Sequence, residues 1–178
     1  LLGLWFLSAC QTFHTPVGEK STLPTDHSLW DRQVKRFVQA DGLVEYEAWL
    51  TEHDSLRLYL ADLQENPPSE SWSEADQLAY WINAYNAFTI ELILNHYPLE
   101  SIRELHRVPV VATIWHEAWF EIGGQQMSLN HIEHKILRKE FDEPRIHFAI
   151  NCASMSCPVL RQEAYIAERL EAQLTEQA

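Results

Sequence analysis

Positive charge is scarce in this chain. Thirteen Lys and Arg stand against 26 Asp and Glu, a formal net charge of −13 over 178 residues. That balance removes the basic face on which nucleic-acid binding depends. It also removes the polybasic patch that would hold an anionic membrane surface. No initiator Met and no basic segment stand at the start. The apolar run Leu1 to Leu7 is too short to span a bilayer. No internal repeat and no low-complexity block occurs. Cysteine is rare as well, at Cys10, Cys152 and Cys157 only.

What is present begins with an export signature. A short apolar run ending in small residues marks a secretory signal, not a spanning helix. Leu7-Ser8-Ala9-Cys10 looks like a bacterial lipobox, in which the thiol of Cys10 is lipidated and becomes the new N-terminus. The plainer alternative is a simple secretory signal with a chance cysteine. Residues 1–10 are therefore expected to be the remnant of a lipoprotein signal, and residues 11–25, with Pro16, Gly18 and Pro24, a tether. The lipid at Cys10 would be the membrane contact. Gln11 is not the aspartate linked to inner-membrane retention, so the periplasmic face of the outer membrane is the expected location. Residues 26–178 are long enough for one domain with one core.

Periodicity places a first helix after Thr25 or Asp26, with Trp30, Val34, Phe37 and Val38 on one face and Gly42 as its stop. Leu43 to Tyr46 reads as a short extended piece. A second helix is expected from Tyr46 to Gln64, ended by Asn66-Pro67-Pro68. Ser73-Glu74-Ala75-Asp76 is a capping-box variant ahead of the most apolar helix, which runs to about His96 and should be central. Leu99 to Leu105 suits a further short turn. Trp119 to Met127, with Gly123-Gly124 at its middle, is a hairpin signal. Ser128 caps a helix over Leu129 to about Glu140. Ile146 to Ile150 alternates as a strand, and a last helix is expected from near Pro158 or Gln162 onward. The fold class is α+β: a mainly helical single domain with a small mixed or antiparallel sheet.

Several of these motifs resemble one family, DUF547. They are Gly42-Leu43-Val44-Glu45-Tyr46, Tyr80 to Ile90, Tyr97-Pro98 with Ser101-Ile102, Gly123-Gly124, Ser128 to His134, and Arg145 to Pro158 with Leu160. The resemblance implies an envelope protein or lipoprotein and brings no secure reaction. It also implies a further C-terminal segment past residue 178, in line with a last helix that lacks a C-cap glycine. At His131 the family pattern more usually has an acidic residue, which lowers the weight of that histidine.

The chemistry concentrates in Arg145 to Pro158. Read as a strand, His147, Ala149 and Asn151 share one face, and Phe148 and Ile150 the other. Pro158 suits a first helical turn, which would put Cys157 at a helix N-terminus and favour its thiolate. A cysteine-dependent hydrolase or acyltransferase acting on an amide or ester follows. Cys157 (or Cys152) would be the nucleophile and His147 (or His134) the base. Asn151 or Glu133 would orient the imidazole, and backbone amides of Ser154 to Cys157 would form the oxyanion hole. Its rival is a Cys152–Cys157 disulfide in a non-catalytic binding or assembly lipoprotein, with an envelope peptide, glycan or protein as partner. A third reading joins His131, His134, His147 and a cysteine around zinc, although the helical motif of zinc proteases is missing. No cofactor is expected. Asn83 and Asn86, polar within the apolar helix, are read as ties to the Cys loop in preference to a cleft lining. Trp115, His116 and Trp119 suit either core packing or an aromatic rim.

Overall fold

A computed structural model describes residues 23–106, 113–154 and 157–178. The export signature at Cys10, most of the tether, and Met155 and Ser156 lie outside the described residues. One helix organises the rest. Helix α4 (Glu74–Leu94) is buried at every position from Leu78 to Leu94. A helix apolar on all sides has no solvent face to offer and is enclosed by its neighbours. Ser73 starts it: its hydroxyl accepts from the Asp76 amide at 3.1 Å and donates to the Asp76 carboxylate at 2.5 Å. Aspartate is one methylene shorter than the glutamate of a full capping box, and here it takes the Ser73 hydroxyl.

The first layer comes from α1 (Ser28–Phe37), α2 (Tyr46–Leu50) and α3 (His53–Glu65). Asp26 holds the start of α1, accepting from the amide of Ser28 at 2.9 Å and its hydroxyl at 2.8 Å. Trp30 stacks on Trp49 and Tyr59, and Phe37 on Trp49. Past α1, Val38 pairs with Val44 as an antiparallel bridge. Gly42 makes the turn between them at φ +81°. A Cβ there would lie 2.4 Å from Cβ of Val159, so both the turn and the close packing require glycine. The single helix expected from Tyr46 to Gln64 is two. The Thr51 hydroxyl donates to the Ala48 carbonyl at 2.7 Å and Glu52 N to the Trp49 carbonyl, which closes α2 before α3 begins.

The hairpin forms as expected. Strands β1 (Phe120–Ile122) and β2 (Gln125–Met127) pair antiparallel, Phe120 opposite Met127 and Ile122 opposite Gln125. Gly123 and Gly124 supply φ of +59° and +79°, the pair of positive values that a type I′ turn demands. Phe120 stacks on Phe88 of α4, with centroids 3.9 Å apart. Ser128 accepts from the His131 amide at 3.1 Å. One continuous helix follows: α5 (Leu129–His131), a π-helical stretch (Ile132–Leu137) and α6 (Arg138–Glu140). Ile102–Leu105 is a 3-10 turn with a complete Ser101/Glu104 capping box.

Two further expectations fail. Ile146–Ala149 is a helical turn, α7, not a strand. Its amides are taken locally: Ile146 N donates to Glu143 O, His147 N to Pro144 O, and Phe148 N to Arg145 O. Spacing of three and four, not two, then sorts the faces. Ile146, Ala149 and Ile150 turn inward, and His147 and Phe148 are exposed. The last helix also starts late, with a 3-10 turn at Ala167–Arg169 and α8 at Leu170–Gln177. Side-chain amides hold the chain before it extended. Gln173 donates to Ala164 O at 2.8 Å and accepts from Ile166 N at 3.0 Å, and Asn83 clamps Tyr165.

Candidate functional site

Helix α4 presents two carboxamides to the chain that follows α6. Asn83, fully buried, donates to the Tyr165 carbonyl at 2.8 Å and accepts from its amide at 3.0 Å. Asn86, 2% exposed, donates to the Ala149 carbonyl and accepts from the Asn151 amide, both at 2.9 Å. Each amide replaces the backbone partner that a strand would have supplied. The tie expected between this helix and the Cys loop is therefore made by Asn86, while Asn83 holds the segment before α8.

Loop 151–158 is closed twice. Asn151 Nδ2 donates to the Pro158 carbonyl at 2.7 Å, and its Oδ1 accepts from the Ala153 amide at 2.8 Å. Cys152 and Cys157 form a disulfide, with Cα atoms 6.1 Å apart. Ala153 adopts φ +58°, a left-handed conformation that costs a non-glycine residue about 1–2 kcal/mol. In this state both sulfurs are bonded to each other and neither is a thiolate. The stretch after Cys157 is not helical until Ala167, so Cys157 does not open a helix as the sequence suggested. Its amide donates to the Ser154 carbonyl at 2.9 Å and is spent as an oxyanion donor. Asn151 is bound to loop backbone on both polar atoms and does not orient His147.

The three other expected site residues gather around an arginine. Glu133 Oε1 accepts from Arg138 Nε at 3.0 Å and Nη2 at 2.8 Å. Arg138 Nη2 also lies 3.3 Å from His147 Nδ1, and His134 Nε2 is 3.9 Å from Glu133 Oε1. Beneath them is Tyr85. Burial, then the Glu133 charge, holds its phenol well above the usual range. The imidazole of His147 thus faces a guanidinium. Among the described residues no group of three or more His, Cys, Asp or Glu is placed to hold a metal, so the zinc alternative finds no ligand set there.

A family model described as a protein of unknown function, DUF547, matches residues 69–178, well over half of the chain. The chain belongs to the DUF547 family. Comparison with curated proteins and with solved structures gives no match. The matched span of this DUF547 chain takes in α4, the hairpin, the Glu133–Arg138 helix and the disulfide loop. Gly42 to Tyr46 lies before it.

Arg138 and Tyr85, two members of this cluster, escaped sequence reasoning as site residues. Glu133 and Arg138 are five apart, which α-helical spacing puts on different sides; the π-helical stretch brings them together. Tyr85 sat within an apolar helix and read as core. A second missed feature is Glu91, whose side chain is 9% exposed. It accepts from Asn95 at 2.9 Å, lies 2.6 Å from His53 Nε2 and 3.4 Å from Arg57 Nε. An acid in the most apolar helix was its signal. Trp119 packs on Phe88 and Phe120, and Trp115 against His106, which supports packing over a rim. Among the described residues no helix is long and apolar enough to cross a membrane.

Proposed function

We propose that this DUF547 domain is a non-catalytic binding or assembly module of the bacterial envelope, lipid-anchored through Cys10. Its disulfide-closed loop would be a fixed part of the surface that grips an envelope peptide, glycan or protein. The observation that carries the reading is the Cys152–Cys157 bond. Paired cysteines persist where the compartment is oxidising, in agreement with the export signature at Cys10. The surroundings point the same way: Asn151 and Asn86 brace the loop from both sides, and His147 lies against Arg138. A hydrolase or acyltransferase built on Cys157 would require the bond to open and a base to approach.

The test is alkylation of native, non-reduced protein, followed at both cysteines by peptide mass. The binding reading expects no labelling until a reductant is added, and full biological activity in a Cys157→Ser variant that retains its fold. Labelling of Cys157 faster than in the denatured protein, with loss of activity in Cys157→Ser, would overturn it in favour of the enzyme.

A further inference from the structure

Two motifs with no part in the loop meet elsewhere. Tyr46 closes the Gly42 to Tyr46 run and opens α2. Tyr97 follows the end of α4, just before Pro98. The Val38–Val44 bridge and the Gly42 turn fix the approach to Tyr46. The two rings come to 6.2 Å between centroids with their planes 33° apart. Both are half-buried, and they border an open cleft of about 510 Å³. That volume is in the range of small-ligand sites. The charged side chains lining it are Glu45 and Glu47, and no Lys, Arg or His joins them among the described residues.

Aromatic faces beside carboxylates make a particular chemical demand. A ring attracts a cation that comes within about 6 Å of its centroid, and two centroids at this separation lie in reach of one such group. Glu45 and Glu47 supply the opposite charge, and the net charge of −13 adds long-range attraction. An anion would meet two carboxylates with nothing to neutralise it. A purely apolar ligand would draw nothing from either acid, although Glu45 Oε1 also accepts from Gln39 Nε2 at 2.8 Å.

We propose that the Tyr46–Tyr97 cleft is a binding site for an organic cation, specifically an alkylammonium group. The group comes either as a free small molecule or as a lysine side chain of a peptide. The site involves neither cysteine, so it stands or falls separately from the loop. The test is a titration of the folded protein followed by amide chemical shifts. The probes are choline, N-acetyl-lysine amide, and 3,3-dimethylbutan-1-ol as the neutral isostere of choline. Saturable shifts at Tyr46 and Tyr97 are expected with the cations and not with the alcohol. Stronger binding of choline would indicate the small-molecule source, and stronger binding of the lysine derivative the peptide. Glu47→Gln and Tyr97→Leu should each weaken binding about 3- to 10-fold, the size of one cation–π or charge contact. Tyr97→Phe should retain it. Glu47 is exposed, so its variant keeps the fold and the test does not depend on Tyr97. Equal binding of choline and the alcohol, unchanged affinity in Glu47→Gln, or no saturable shift with either cation would overturn the proposal.

Discussion

Replacing Asn86 by alanine should separate α4 from the loop it holds. The side chain is 2% exposed and makes two bonds, to the Ala149 carbonyl and from the Asn151 amide. Ala149 is itself only 5% exposed, so water does not readily replace the lost partner. An unsatisfied buried polar group costs about 1–3 kcal/mol. Two of them, one half-buried, with a small cavity in addition, give a loss of about 3–5 kcal/mol. Against a typical total of about 5–15 kcal/mol that is a large fraction. Urea unfolding followed by tryptophan fluorescence measures it, as a lower midpoint at unchanged slope. Gln126→Ala, at an exposed hairpin position whose side chain donates to Glu121 at 3.3 Å, should change stability by less than about 0.5 kcal/mol. A loss below about 1 kcal/mol in Asn86→Ala would refute the reasoning, because the carboxamide would then be dispensable to the loop.

Other outcomes follow from the same geometry. His27 is buried beside Tyr59, and burial lowers its pKa to about 4 against an ordinary 6.5. The unfolded chain takes up that proton first, so stability should fall as pH drops from about 6.5 to about 4, by about 3 kcal/mol. His27→Gln should flatten this window in pH-dependent unfolding. Gly42→Ala should cost more than about 2 kcal/mol, combining left-handed strain with the Val159 clash; Gly124→Ala, with open space around it, should cost only the strain of about 1–2 kcal/mol. Thermal unfolding compares the pair. Replacing Cys152 and Cys157 by alanine opens a short loop and should cost about 2 kcal/mol on chain-entropy grounds, read from the same urea curves.

Where a local pattern decided the outcome, the sequence was sufficient. Ser73 and Asp76 set the start of α4, the Gly123-Gly124 pair set the hairpin, and the unbroken apolar run of α4 gave its central place. Local pattern failed where distant side chains decide. Ile146 to Ile150 alternates as a strand does, yet among the described residues no strand pairs with it, and Asn86 supplies the partner that a strand would have given. Residues 158–166 look helix-compatible, but Asn83 and Gln173 hold Ala164 to Ile166 extended. The gathering of Glu133, His134 and His147 was half legible. The residues were named, but the π-helical turn that seats Arg138 among them leaves no trace in spacing.

The state of the two sulfurs tests the account most directly. Trypsin, cutting after Arg145 and Arg161, releases Ile146 to Arg161 as one peptide that contains both cysteines. From protein isolated without reductant and alkylated before digestion, its mass should fall two hydrogens below the dithiol value, with no alkyl group attached. A peptide alkylated at Cys157 would contradict the account and return that sulfur to the role of nucleophile.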